Sequence, residues 1–168
     1  KIMDICRTLP EGLTDVIENP EMAHKLGEIF ADFVIDYGNA QVEAGADGLY
    51  VVHIMEDEGK ESLLLRQVAT NSNVQILPPE DVNISGLTIS KDGNYIYYLI
   101  EEKDRMTNTL YKLPMLGGAP VKVLDDVFSP IAFSPDGTKF SFSRYESFPS
   151  VTMIMVSNLN GSKVEALA

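Results

Sequence analysis

The chain has 168 residues and a formal net charge of −12, because 25 Asp and Glu outnumber 13 Lys and Arg, and 45% of its residues are hydrophobic. This charge would repel phosphate backbones and anionic lipids, so we expect neither a nucleic-acid nor a membrane partner. Cys6 has no second cysteine to pair with, and no apolar run reaches the roughly 18 residues that span a bilayer, so we predict a soluble, cytoplasmic protein.

The N-terminal third is predicted to be helical, with a short helix at about 12–18 and a long helix after it. Asn19 suits the N-cap of the long helix, Pro20 its first turn, and Gly45 the left-handed position after its last turn. Apolar residues recur between these ends at helical spacing: Met22, Leu26, Ile29, Phe30, Phe33, Val34 and Tyr37. The pattern predicts an amphipathic helix whose apolar stripe packs on another surface.

The run from Gly48 to Met55 is almost continuously apolar and rich in β-branched residues. Such a run is typical of a strand that is covered on both faces. A helix followed by a buried strand is the element order of a parallel α/β fold. The first part of the chain is therefore predicted to be a segment of a parallel α/β fold.

From about Gly59 the helical spacing is replaced by short strand-like runs separated by turn residues. Residues 87–93 align with residues 131–137, and a partial earlier copy aligns residues 62–68 with residues 109–113. Asp92-Gly93 and Asp136-Gly137 suit tight hairpin turns, because Gly readily adopts a positive φ. A period in the low forties with four strands per repeat predicts two to three antiparallel, propeller-like blades in an incomplete ring.

These patterns predict an α+β chain of three segments. Residues 1–55 form an α/β segment with N-terminal helices and one buried strand, residues 56–60 form a junction, and residues 61–168 form the repeats. The acidic run Glu56-Asp57-Glu58 marks the junction.

The first and the last of these segments resemble different families. The motifs at residues 65–70, 75–79 and 116–120, with the two Asp-Gly turns, make residues 59–168 resemble the TolB-type, WD-like β-propeller repeats of bacterial kinases and regulators. The motif Glu43-Ala44-Gly45-Ala46-Asp47 makes residues 9–52 resemble a fragment of the uroporphyrinogen decarboxylase superfamily, which includes corrinoid methyltransferases. That superfamily is a (β/α)8 barrel, so the resemblance implies that residues 1–55 form a partial β/α-barrel unit. The two resemblances together imply a chimera or a fragment.

The barrel resemblance implies that residues near the C-terminal end of the strand face a substrate, which selects His53, Glu56 and Asp57. A histidine followed by carboxylates could act in acid/base chemistry or coordinate a metal. The resemblance implies a substrate related to a tetrapyrrole. The alternative is a strand-end histidine beside a solvated acidic loop. The chain has no Gly-x-Ser-x-Gly motif and no phosphate-binding loop, so we predict no catalytic residue, no cofactor and no metal.

Aromatic residues lie along the predicted strands and serve either as packing residues or as a protein-contact face: Tyr95, Tyr97, Tyr98 and Tyr111. The leading interpretation is a non-enzymatic, β-propeller-type protein-interaction module. It would bind another protein or a second copy of itself through open blade edges. Two alternatives stay open, namely a fragment of a decarboxylase-like or methyltransferase-like enzyme and a recombined chain without natural activity.

Overall fold

The computed structural model describes residues 18–46, 48–101, 107–147 and 150–167. The chain divides into two compact units, residues 1–49 and residues 50–168. The predicted short helix at about 12–18 falls, except for Glu18, outside the described residues, and so does Cys6.

The first unit contains the predicted amphipathic helix, α1 (Pro20–Glu43). Pro20 lies in its first turn, whereas the side chain of Asn19 makes no capping hydrogen bond. The helix ends as predicted at Gly45, whose φ is +98°. Gly45 N–H donates to the Val42 carbonyl and Ala46 N–H donates to the Gln41 carbonyl, which is the hydrogen-bond pair of a Schellman motif. No residue of α1 is buried, so the packing of its apolar stripe on another surface stays a prediction.

The described part of the second unit contains eleven strands. They are β1 (Tyr50–Asp57), β2 (Lys60–Gln67), β3 (Ser72–Glu80), β4 (Ile84–Ile89), β5 (Tyr95–Glu101), β6 (Asn108–Pro114), β7 (Val121–Val127), β8 (Ala132–Phe133), β9 (Lys139–Ser147), β10 (Ser150–Asn158) and β11 (Glu165–Ala166). They form three sheets with the orders β1-β2-β3, β4-β5-β6-β7 and β8-β9-β10-β11, and every neighbouring pair is antiparallel. We call them the first, second and third sheets.

The second and third sheets are the two full copies of the sequence repeat. β5 pairs with β6 from Tyr95↔Pro114 to Glu101↔Asn108, and β9 pairs with β10 in the same antiparallel manner. The partial copy of the repeat forms the first sheet. Its strand β2 takes the position that β6 has in the second sheet, which is the third strand of a repeat. The predicted antiparallel repeats are therefore confirmed, with a first sheet of only three strands.

One prediction is wrong, because β1 is not a buried parallel strand. It pairs antiparallel with β2, from Tyr50↔Gln67 to Asp57↔Lys60, and lies at the edge of the first sheet. The cause is the loop Glu58-Gly59, where both φ values are positive, as a two-residue hairpin requires. The predicted junction, residues 56–60, is thus the turn of this hairpin. The described residues contain no parallel strand pair, so this part of the chain does not show a barrel unit.

Two hydrophobic clusters hold the three sheets together. Alternate side chains of β5 point to opposite faces of the second sheet, so that Ile96 and Tyr98 belong to one cluster and Tyr97 and Leu99 to the other. The first cluster joins them to residues of the first sheet: Leu63, Leu65, Ile76 and Leu77. The second cluster joins them to residues in and beside the third sheet: Ile131, Phe140, Phe142 and Met155. The second sheet is therefore covered on both faces, as the inner blade of a stack.

Candidate protein-interaction site

The edge of β1 is the candidate site, because the first sheet has one strand fewer than the other two. β1 has one strand neighbour, β2, among the described residues, whereas its equivalents β5 and β9 each lie between two strands. Backbone N–H and C=O groups alternate in direction along a strand. Asp57 and Lys60 flank a two-residue hairpin turn and form a hydrogen-bonded pair. The backbone groups of every second residue before Asp57, beginning with Glu56, therefore point away from β2.

The spacing of the repeat explains the missing strand. β4 begins eleven residues before β5. The same spacing before β1 falls on residues 39–44, which form the last turns and the C-cap of α1. A helical segment thus stands in the chain where the repeat places an innermost strand. The first sheet therefore has three described strands because residues 39–44 are helical instead of extended.

The exposed edge is apolar and almost free of charge. Tyr50, Val51 and Met55 are 51%, 48% and 45% exposed. The run 50–55 contains no Asp, Glu, Lys or Arg, and its polar side chains are those of Tyr50 and His53. Natural sheets commonly protect such an edge with charged side chains, Pro or a bulge. β1 has no Pro and no bulge, and its charged residues are Glu56 and Asp57 at its C-terminal end. The edge has the properties of a strand-pairing site.

The predicted ligand residues His53, Glu56 and Asp57 are all on β1, but the structure does not bring them together. His53 lies opposite Leu64, Glu56 opposite Glu61 and Asp57 opposite Lys60. His53 and Asp57 share one face of the strand about 13 Å apart, and Glu56 is on the other face. No group of three potential metal-ligating side chains occurs among the described residues. The arrangement offers no convergent set of acid and base groups.

The four tyrosines proposed as a contact face divide into a buried pair and a half-buried pair. Tyr97 and Tyr98 are 2% and 1% exposed and pack between the sheets. Tyr111 is half-buried and stacks on Tyr98 with ring centroids 5.8 Å apart. Tyr95 is half-buried, with the Lys112 ammonium 4.6 Å from its ring centroid. Of the predicted set, Tyr95 and Tyr111 therefore have the larger exposed surface for contact with a protein partner.

The Asp-Gly turns are hydrogen-bonded hairpin connections, as their residue types indicate. The Asp92 carboxylate accepts hydrogen bonds from the Ser90 hydroxyl and from the backbone and side-chain amides of Asn94. These bonds stabilise the ionised form and lower the pKa of Asp92 to about 2.

The second turn repeats this arrangement. Asp136 accepts from the Ser134 hydroxyl and from the Thr138 backbone and hydroxyl, and its pKa is also lowered to about 2, with the Ser134 bond as the largest cause. Both carboxylates have a structural role in their own turns.

Sequence reasoning predicted open blade edges in general but missed β1 as the open edge. The apolar run 48–55 suits a strand buried on both faces and an unprotected edge strand equally well. The hairpin turn with positive φ at Glu58 and Gly59 makes β1 an edge strand. The sequence signal for this turn is a Gly after three acidic residues.

Comparison with known proteins supports both resemblances. The family Uroporphyrinogen decarboxylase (URO-D) matches residues 5–63, just over a third of the chain, and the match extends through β1 into β2. No curated protein matches the chain. Within the described residues, no helix is both long enough and apolar enough to cross a bilayer.

Solved structures with the same fold are propeller-containing proteins. TolB from Acinetobacter baumannii superposes with a TM-score of 0.59 at 14% identity over 72% of this chain and 30% of its own. The tricorn protease gives 0.54 at 13% identity over 73% and 12%. The β-propeller domain of the Trilobed protease from Pyrococcus furiosus gives 0.52 at 13% identity over 73% and 39%. The chain spans less than half of each structure. Its repeats have the fold of β-propeller blades of the TolB type, joined to a segment that is similar to the uroporphyrinogen decarboxylase family.

Proposed function

We propose that the chain is a non-enzymatic, β-propeller-type protein-interaction module that acts through the free edge of β1 and whose partner is a second copy of the chain. The observation that carries this proposal is the three-stranded first sheet beside two four-stranded sheets. A strand from another polypeptide would complete the first sheet by β-augmentation, in which main-chain hydrogen bonds supply the affinity.

The sequence of β1 suits pairing with itself. An antiparallel arrangement centred on Val52 places Tyr50 opposite Ile54 of the second copy and Val51 opposite His53. The backbone groups of Tyr50, Val52, Ile54 and Glu56 point away from β2, and this register satisfies those of the first three. Glu56 and Asp57 fall beyond the paired segment, where no carboxylate of the second copy lies opposite them. Self-pairing therefore joins uncharged residues only.

Sedimentation velocity over a range of concentrations tests the proposal. The chain should reach twice its 18.5 kDa mass as concentration rises. Val51→Lys should prevent this, because the two introduced ammonium groups would lie diagonally about 7–8 Å apart across the new interface. Val121→Lys is the matched control, since Val121 is similarly exposed (56%) on the edge strand β7. Monomers at all concentrations, or equal effects of both substitutions, would contradict the proposal.

A second candidate function is a decarboxylase-like or methyltransferase-like fragment that binds a tetrapyrrole-related ligand. The family match over residues 5–63 favours it. Absorbance titration with a porphyrin distinguishes the two, because a shift of the porphyrin absorption band that saturates at micromolar concentration would support the enzyme-related candidate. An unchanged spectrum leaves the interaction module as the better-supported function.

A further inference from the structure

A cleft of about 230 Å³ opens where the second and third sheets meet, beside the two Asp-Gly turns. The turns contribute Lys91, Asp92 and Asp136 to its walls. Tyr95, Tyr97 and Lys112 line it from the second sheet, and Phe133 lines it from the third. We propose that this cleft binds a small organic carboxylate with an apolar body, and no residue of β1 takes part.

Tyr97 supplies an unused hydrogen-bond donor at the base of the cleft. Its side chain is 98% buried by the surrounding sheets, yet its hydroxyl has no hydrogen-bond partner among the described residues. No fully buried side-chain polar atom lacks a partner in this part of the chain, so the hydroxyl keeps some exposed surface, and Tyr97 is one of the residues that line the cleft. Burial and the nearby Asp92 charge raise the pKa of Tyr97, and the group stays a neutral donor at physiological pH.

Two lysines supply positive charge at the walls. The Lys112 ammonium lies 4.6 Å from the centroid of the Tyr95 ring and has no carboxylate within ion-pair distance among the described residues. The Lys91 ammonium donates to the Pro135 carbonyl at 3.4 Å, which ties the turn of the second sheet to that of the third. An ammonium group has three N–H donors, so both lysines keep donors for a ligand.

The two carboxylates in the cleft are hydrogen-bonded within their own turns, and the two lysines balance their charge. Asp92 and Asp136 each accept three hydrogen bonds within their own turns. The hydrogen-bond donors that stay unused in the cleft are the Tyr97 hydroxyl and N–H groups of the two lysines, and these can bind an ionised carboxylate. Hydrogen bonds between such donors and an ionised carboxylate are stronger than neutral ones.

The size and apolar walls of the cleft favour a carboxylate that carries a hydrophobic group. A volume of about 230 Å³ corresponds to one amino-acid residue and not to an extended peptide. The Tyr95 and Phe133 rings offer aromatic surface to the body of the ligand. A free organic acid and the C-terminal residue of a peptide share this chemistry.

Titration calorimetry with N-acetylphenylalanine tests the proposal, and the uncharged N-acetylphenylalaninamide is the matched control ligand. The acid should bind saturably and the amide at least about tenfold more weakly, because a hydrogen bond to a charged group is lost. A titration with inorganic phosphate tests the chemical class of the ligand, and a titration with a short peptide ending in Phe tests its source. A peptide that binds at least as tightly as the acid supports a C-terminal residue, and weaker binding supports a free acid.

Variants locate the site. Lys112→Met and Tyr97→Phe should each weaken binding of the acid about tenfold, while Lys60→Met, on the distant β1–β2 hairpin, should leave it unchanged. Lys112 is partly exposed, so its variant tests the site even if Tyr97→Phe unfolds the chain. Equal affinity for acid and amide, phosphate binding as tight as that of the acid, or unchanged affinity in Lys112→Met would overturn the proposal. Absence of binding at millimolar acid would overturn it as well. These outcomes do not depend on self-association at β1.

Discussion

Tyr97 of β5 and Phe133 of β8 meet edge to face, with ring centroids 5.2 Å apart and ring planes at 77°. This is a favourable geometry for two aromatic rings. The pair joins the second sheet to the third and forms one wall of the cleft between them. It therefore contributes both to the packing of the repeats and to the shape of the proposed ligand site.

The first prediction concerns this aromatic pair. Phe133→Ala should lower the free energy of unfolding by about 2 kcal/mol, because it removes the ring contact and part of the packing in a half-buried position. Urea unfolding followed by circular dichroism measures the change. Leu116→Ala, at a position that is 83% exposed, should change it by less than about 0.5 kcal/mol. Equal losses in the two variants would show that the pair does not stabilise the fold.

The second prediction compares two glycines with similar positive φ, Gly93 (+73°) and Gly161 (+79°). A Cβ at Gly93 would meet no atom within 4 Å, whereas a Cβ at Gly161 would collide with the Val123 carbonyl of β7. Gly93→Ala should therefore cost about 1 kcal/mol for the left-handed backbone alone. Gly161→Ala should cost about 2 kcal/mol more, because the third sheet must move away from β7.

The control for the second prediction is internal, since both substitutions add the same methyl group to a turn residue. Thermal unfolding of the two variants in one buffer gives the comparison. A Gly161→Ala variant as stable as Gly93→Ala would mean that the loop after β10 does not lie against β7.

The third prediction concerns the stability of the fold at acidic pH. The folded pKa values of Asp92 and Asp136, about 2, lie below their unfolded value of about 3.8, so ionisation favours the folded state. Their contribution is fully present above about pH 4 and is lost as pH falls towards 2. Asp92→Asn and Asp136→Asn should each make stability less dependent on pH in this window. Denaturant unfolding at pH 5 and at pH 2.5 measures the difference, and an unchanged pH dependence in the double variant would contradict it.

The sequence repeat was sufficient to predict the second and third sheets. Asp92-Gly93 and Asp136-Gly137 mark equivalent turns, and the strands after them alternate in the manner of half-buried sheets. The end of α1 was predictable too, because it lies at Gly45 and glycine is one of the few residue types that adopt the left-handed conformation easily.

The role of β1 and the cleft could not be predicted in the same way. Residues 48–55 are hydrophobic without a clear period, and such a run does not distinguish a buried parallel strand from an exposed edge. The cleft depends on side chains from separate repeats: Tyr97 and Phe133 are far apart in the chain and meet only when the sheets pack. Local patterns contain no information about which hydroxyl is left without a partner.

Amide hydrogen exchange along β1 tests the central proposal most directly. In dilute solution the amides of Val51, His53 and Met55, which face β2, should exchange slowly, and those of Val52 and Ile54, which face outward, should exchange fast. As the protein concentration rises, the amides of Val52 and Ile54 should become protected in the unsubstituted chain but not in the Val51→Lys variant. Fast exchange of these two amides at every concentration, or their protection already in the dilute monomer, would contradict strand addition at this edge.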